Sequence, residues 1–177
     1  SMVWVEQHNT GTYRLRAQRI ASTGLIGSAI EVCVVSGGLH LYWPSVAVDD
    51  HGDSHIVWQR TSNALTDVSV LATRFVFTAE QSEETVELNE TPLRASYSLK
   101  IRTYGEEGLV VAWLQTEISP ESSRVWAVRH LAGLGWQIPS GHAVGSALVK
   151  ELAMAVEPDG AATTAWKQKD NGSFEVW

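Results

Sequence analysis

The densest group of chemically versatile side chains is a short acidic segment that also carries two histidines. It contains three carboxylates and two imidazoles within seven positions: Asp49, Asp50, His51, Asp53 and His55. Hard cations need six or more oxygen ligands from a shaped loop, and zinc needs a tetrahedral set of ligands, and this spacing suits neither. The equivalent segment later in the chain, Glu157-Pro158-Asp159, has no histidine. The sequence therefore predicts a solvated turn without a metal, and only His51 and Asp53 are retained as speculative ligand contacts.

Other carboxylates could in principle serve glycoside hydrolysis, which uses a pair of acids across the scissile bond. Glu106, Glu107 and Asp49 are the available residues. Nothing in the sequence places two of them at the required separation, because all three lie in turn-like segments. No Ser-His-Asp order, phosphate-binding loop or dinucleotide fingerprint occurs. We therefore predict no catalytic residue and no cofactor.

Seven of the eight tryptophans fall into two groups. Trp4, Trp58, Trp113 and Trp166 are separated by 54, 55 and 53 residues, which indicates an internal repeat and predicts that these indoles anchor a core. Trp43, Trp126 and Trp136 do not follow this interval, and they are speculative ligand contacts.

A second mark has the same period. Ala-x-Arg recurs so that Arg19, Arg74 and Arg129 are each 55 residues apart. An arginine cluster can hold a carboxylate in bidentate fashion. A residue that returns in every unit is better explained as structural, so we predict that each guanidinium binds a strand end, a carbonyl or a turn carboxylate.

Each repeat has the pattern strand, tight turn, strand, longer loop, strand and a weaker fourth strand. The best copies are 45–58 and 153–166, and 99–113 is a looser copy. Alternating apolar residues precede an Asp/Glu-x-x-Gly turn, and an almost continuous apolar run follows it. Such a run is typical of a strand that is covered on both faces.

A unit of this size that ends its second strand in Trp resembles a β-propeller blade. Its sequence pattern is similar to that of the bacterial sialidase-like (BNR-type) repeats. The similarity rests on Val46-Ala47-Val48-Asp49, on the Ala-x-Arg strand and on Gly135-Trp136-Gln137-Ile138-Pro139. The departure is that Gly lies six residues before Trp in two copies, not three as in the sialidase motif. The resemblance implies a fold and no particular activity.

The expected fold is an all-β, propeller-like array of four-stranded antiparallel blades in one repeat domain. It comprises about 3.5 blades: a partial blade 2–37, blades 43–90 and 97–147, and a partial blade 150–177. Because the chain starts and stops within a repeat, we expect an open arc, completed by a second copy of the chain or by the rest of a longer propeller.

The charge and composition of the chain exclude some classes of binding partner. The net charge is −7 and no basic cluster occurs, which argues against nucleic acid and against an anionic membrane surface. No apolar stretch has transmembrane length, and a secreted or bacterial cell-surface location is slightly favoured over the cytoplasm. The predicted function is a non-catalytic binding or interaction scaffold of unknown ligand, with a protein or a glycan as the possible partner. The alternatives are a lectin-like glycan-binding module and a glycosidase-like fragment. Ligand contacts are expected in turns 51–53, 63–67 and 119–123.

Overall fold

The architecture is all-β. The computed structural model describes residues 1–8, 10–63, 68–77, 79, 81–89, 95–116, 123–144, 148–170 and 173–176. These residues form sixteen strands and no helix, so the described part of the chain has no helix able to cross a membrane.

The strands form four antiparallel sheets in chain order. The first sheet consists of β1 (Met2–His8), β2 (Thr12–Ala21) and β3 (Gly24–Val35). The second contains β4 (Leu39–Val48), β5 (Ser54–Ser62), β6 (Val68–Val76), β7 (Gln81–Ser82) and β8 (Val86–Glu87). The third contains β9 (Ala95–Tyr104), β10 (Gly108–Thr116), β11 (Ser123–Leu131), β12 (Gly135–Trp136) and β13 (Ser140–Ala143). The fourth consists of β14 (Leu148–Val156), β15 (Ala162–Asp170) and β16 (Ser173–Val176).

The sheets stand side by side and meet through their first strands. The edge strands β4 and β9 contact each other, β9 also contacts β14, and β1 of the first sheet contacts β4. We call β4, β9 and β14 the inner strands. Sheets arranged in sequence around their first strands form a propeller-like array, and the predicted all-β, antiparallel fold class is confirmed.

The fourth strand of the two central sheets is interrupted. β7 and β8 both pair with β6, and β12 and β13 both pair with β11. The outer position is therefore filled by two short segments, whereas the sequence predicts one weak strand. The second sheet also starts at Leu39, earlier than the predicted blade start at 43. Short, interrupted edge strands offer little template for pairing with other chains.

Three apolar cores fill the spaces between neighbouring sheets, and three of the periodic indoles pack in them. Trp58 is fully buried with Leu15 of the first sheet, and Trp113 is 1% exposed and packs with Val57 of the second. Trp166 is half-buried against the core between the third and fourth sheets. Trp4 is also half-buried, and its indole N–H donates to Glu6. β5 is almost wholly buried, as predicted for a strand that is covered on both faces.

A β-bulge lies opposite each of the last three periodic tryptophans. The register shifts between Tyr42 and Ser45 opposite Trp58, and equivalent shifts occur opposite Trp113 and Trp166. One residue of each bulge, Trp43, Ser98 or Glu151, has φ between 51° and 56°. A left-handed backbone at a non-glycine residue costs roughly 1–3 kcal/mol. The periodic tryptophans are recognisable in the sequence, whereas these bulges are not.

The tight turns after β4 and β14 have the same hydrogen bonds. Gly52 N–H donates to the carbonyl of Asp49 (3.0 Å), and Gly160 N–H donates to that of Glu157 (2.9 Å). Both glycines have positive φ, 86° and 87°, which explains the Asp/Glu-x-x-Gly signature.

Replacing Trp58 by Ala should lower the free energy of unfolding by about 3–5 kcal/mol, because a fully buried indole leaves a cavity between two sheets. Trp4→Ala, at the equivalent repeat position but half-buried, should cost clearly less. Urea unfolding followed by circular dichroism measures both. Equal losses for the two variants would contradict the assignment of Trp58 as a core anchor.

Candidate functional site

The best-formed concavity is a pocket of about 340 Å³ between the second and third sheets. It lies where the β4–β5 and β9–β10 turns approach the outer segments of the second and third sheets. This volume is at the lower end of the range for ligand pockets, ~300–1,000 Å³. The lining combines aliphatic residues with polar side chains and one indole. The aliphatic residues are Ile56, Ala72, Val86, Ile101 and Leu109, and the others are Asp49, His55, Thr73, Arg74, Glu83, Glu84, Glu107, His130 and Trp136.

Asp49 is the centre of the polar network on the second sheet. Its Oδ1 accepts the backbone N–H groups of His51 and Asp53, each at 3.0 Å. Its Oδ2 accepts from Nε2 of His55 at 2.8 Å, and Nη2 of Arg74 lies 3.8 Å away. The Asp49 side chain is 2% exposed, and four donors surround its carboxylate. A buried carboxylate with this many donors organises the turn and is not available as a general base.

Arg74 connects this turn to the outer segment of the same sheet. Its Nη2 donates to Asp53 Oδ2 at 2.8 Å, and Nη1 lies 3.7 Å from Glu83 Oε1. Asp53 is buried, and the guanidinium is 28% exposed. Burial alone would lower the pKa of Arg74, but hydrogen bonding to Asp53 and the surrounding carboxylates raise it, so this charge is permanent.

The pKa values of Asp49 and His55 are both lowered, although burial and pairing oppose each other at each residue. Burial would raise the pKa of Asp49, but the hydrogen bonds from His55 and Asp53 N–H and the nearby charges outweigh it and hold that pKa below its ordinary value. Burial lowers the pKa of His55 and outweighs the attraction of Asp49, while Arg74 and His130 lower it further. His55 is therefore neutral at neutral pH and donates Nε2–H to an ionised Asp49.

The opposite wall belongs to the third sheet. Trp136 pairs with His130 across β11 and β12, and their rings meet edge to face at 5.2 Å. Nδ1 of His130 lies 3.4 Å from the backbone carbonyl of Glu107. Trp136 is half-buried against the core between the two sheets, so the indole has a fixed position and still lines the pocket.

The pocket has an acidic character. Asp49, Glu83, Glu84 and Glu107 face a single guanidinium, that of Arg74. The carboxylates of Glu84 and Glu107 make no hydrogen bond or ion pair within the described residues, whereas Asp49 and Glu83 are engaged. Unengaged acceptors beside an indole suit a ligand with hydroxyl or ammonium donors and an apolar ring face.

The structure does not bring the five speculative ligand residues together. Trp136 lines the pocket. His51 is exposed and contributes its backbone N–H to Asp49, while Asp53 is occupied by Arg74. The rings of Trp126 and Trp113 stack, with 6.3 Å between centroids and 9° between planes. Gly141 packs against the indole ring of Trp126. Trp43 belongs to the bulge of β4. Turn 51–53 lies on the edge of the site, but 64–67 and 119–122 are outside the described residues.

The three repeated arginines all lie near turns. Arg129 donates to the carbonyl of Gly160 in the next sheet, and its guanidinium lies 6.0 Å from the ring centre of Tyr104. Arg19 lies 5.8 Å from the ring of Phe77 and approaches Gly52 of the next sheet. Arg74 instead binds the turn of its own sheet. A structural role for these three arginines stays a prediction.

Sequence reasoning missed His130, Glu83 and Glu84. His130 directly follows the Ala-x-Arg mark, at a position where the other copies have Ile20 and Phe75. An imidazole that replaces an apolar residue in one copy of a repeat is a usable signal. Glu83 and Glu84 lie between two short outer segments that have no regular pattern, so nothing in the sequence singles them out.

Comparison with known proteins identifies a fold and no family. No protein-family model matches the chain, and no curated protein matches it. Among solved structures, the chain is similar to an endo-arabinase from Bacteroides thetaiotaomicron VPI-5482, with a TM-score of 0.51 and 12% sequence identity. The match covers 99% of this chain and 72% of that one. At this identity the likeness shows a shared fold alone.

The stability of the fold should decline as pH falls below about 6.5. His55 has a lowered pKa in the folded protein, so the unfolded chain binds its proton first and stability falls as pH drops below that of free imidazole. Asp49 adds a second loss below about pH 4, because its folded pKa is also lowered. Urea midpoints between pH 8 and pH 3 measure both steps. In His55→Gln the step near pH 6.5 should shrink, and an unchanged pH profile would contradict the assignment.

Proposed function

We propose that this protein is a carbohydrate-binding propeller domain and that the pocket between its second and third sheets receives a sugar unit. One observation carries the proposal: a half-buried indole, Trp136, shares a pocket with the unengaged carboxylates of Glu84 and Glu107. Sugar rings have an apolar C–H face that packs on an indole, and their hydroxyls donate to carboxylates. The acidic lining favours a neutral sugar over an anionic one, because Arg74 is already held by Asp53 and Glu83.

The shared fold supports this choice. An endo-arabinase has the same overall arrangement of sheets over nearly the whole of this chain, so the fold is compatible with carbohydrate recognition. We also retain the kinship with sialidase-like (BNR-type) repeats and assembly with another copy or with further blades as proposals. A protein-binding scaffold without affinity for sugar is the outcome that the experiment below would reveal.

Binding can be measured by affinity electrophoresis in native gels that contain linear arabinan, xylan or a mixed-linkage glucan. The protein should be retarded by at least one of these polymers. Trp136→Ala should weaken the retardation about tenfold or more, since burial of a large apolar side chain against a sugar face contributes on the order of 1.5–3 kcal/mol. Leu134→Ala, which removes an exposed apolar side chain of the neighbouring turn, is the matched control and should bind normally.

Two results would count against this site. Migration unaffected by every polymer would reject carbohydrate binding. Equal retardation of Trp136→Ala and Leu134→Ala, with both variants folded by circular dichroism, would show that the protein binds carbohydrate but not in this pocket.

Glycoside hydrolysis is a second candidate, and its specific support is that Glu84 and Glu107 line one pocket with no engagement within the described residues. Hydrolysis needs one carboxyl to protonate the leaving oxygen and another to act as base or nucleophile. Release of reducing ends from arabinan should then occur, and Glu84→Gln or Glu107→Gln should reduce the rate at least a hundredfold. Unaltered binding without any product, measured over a day with the unmodified protein, would exclude the enzyme and leave the binding domain.

A further inference from the structure

Three residues with a strained backbone recur with the period of the repeat. Within the described residues, Trp43, Ser98 and Glu151 are the non-glycine positions with positive φ, at 51°, 56° and 52°. They are 55 and 53 residues apart, the same intervals that separate Trp58, Trp113 and Trp166. A left-handed conformation is unusual for any side chain and is an outlier for a bulky one such as Trp.

All three lie at one position of the architecture. Each is the extra residue of a β-bulge on an inner strand. Trp43 and Ser98 lie opposite Trp58 and Trp113, and Glu151 directly precedes Leu152, which pairs with Trp166. The inner strands are edge strands of their sheets, and neighbouring inner strands contact one another. The bulges therefore present one residue per sheet along the line where the sheets meet.

The chemistry of this position varies while its surroundings stay constant. The residue three positions after each bulge residue is apolar in every copy, namely Val46, Ile101 and Met154. The strained position carries an indole, a hydroxyl and a carboxylate. A purely structural bulge would be served best by glycine, which adopts positive φ without strain. Side chains retained against strain, and different in each copy, point to contact with a ligand that is not itself repeated.

Exposure agrees with this interpretation. Trp43 is 54% exposed, although it is among the largest side chains of the protein. The Glu151 side chain is 72% exposed and pairs with Lys167 at 3.2 Å, also on the surface. Ser98 is half-buried. Tyr42, directly before Trp43, is 41% exposed and continues the aromatic surface. None of these residues lines the pocket between the second and third sheets.

We propose that the bulge residues Trp43, Ser98 and Glu151 form a second carbohydrate-contact surface, on which a sugar ring packs on Trp43 while Ser98 and Glu151 receive hydroxyl groups. This inference rests on the proposed function, since it assigns a further subsite for the same class of ligand. A chain of sugar units that touches several sheets would meet a different side chain at each bulge. Identical side chains at the three bulges could not make different contacts with successive sugar units.

The experiment replaces each bulge residue by glycine, the residue that the backbone prefers. Trp43→Gly, Ser98→Gly and Glu151→Gly should leave the melting temperature within about 2–4 °C of the unmodified protein or raise it. Ala155→Gly is the matched control: it lies exposed on the same strand as Glu151, at ordinary φ, and should lower the melting temperature. Retardation by arabinan, xylan and mixed-linkage glucan is measured on the same samples. Trp43→Gly should bind at least tenfold more weakly, and Ala155→Gly should bind normally.

Each outcome decides between the two proposals. Polymer binding that Trp43→Gly and Glu151→Gly leave unchanged would overturn the second surface, while the carbohydrate-binding function stands. Glycine variants that melt far below Ala155→Gly would show that these side chains hold the fold, which also overturns it. If the unmodified protein binds none of the polymers, the proposed function fails, and the sugar subsite fails with it.

Discussion

Packing of one indole against the preceding sheet is the interaction on which the rest of the structure depends. Trp58 and Trp113 are buried between sheets. Each lies near the middle of a strand that has neighbours on both faces, not at the strand's end as the sequence pattern predicts. A two-sided strand of this kind cannot be stable in an isolated hairpin, so each sheet requires the next. The bulge opposite each indole belongs to the same unit, because its extra residue alters the register where the ring sits. The indole N–H groups of Trp58 and Trp113 have no hydrogen-bond partner among the described residues, so packing outweighs that cost.

The candidate pocket follows from a local departure from the repeat. In the second sheet, the tight turn carries Asp49, which gathers His55, Arg74 and two backbone N–H groups around one buried carboxylate. In the third sheet, the equivalent positions supply Tyr104 and a turn with glutamates. The gap between the two sheets thus has an ordered network centred on Asp49, with one available carboxylate on each side, Glu84 on the second sheet and Glu107 on the third. A rigid scaffold that presents a few available polar groups is a common arrangement for recognition sites.

Much of the fold could be predicted from the sequence, because the large side chains recur at nearly constant intervals although the loops differ in length. The intervals between Trp4, Trp58, Trp113 and Trp166 and the Asp/Glu-x-x-Gly turns were enough to predict an all-β, propeller-like array. The bulges could not be predicted, since they depend on which residue of a neighbouring strand lies opposite, and Trp, Ser and Glu share no local preference for positive φ. The site was only partly predictable: Trp136 lines it, whereas Trp126 stacks on Trp113. His130 and the outer glutamates come together only through packing of two sheets.

The most direct test of the central claim is hydrogen exchange at the indole N–H groups in protein with ¹⁵N-labelled tryptophan, observed by NMR in the native state. The indole N–H groups of Trp58 and Trp113 should exchange only through global unfolding, although no hydrogen bond protects them, because both rings are sealed between sheets. The indole N–H of Trp43, on a half-exposed ring, should exchange within the dead time. Exchange of Trp58 and Trp113 as rapid as that of Trp43 would contradict an architecture built on indoles packed between successive sheets.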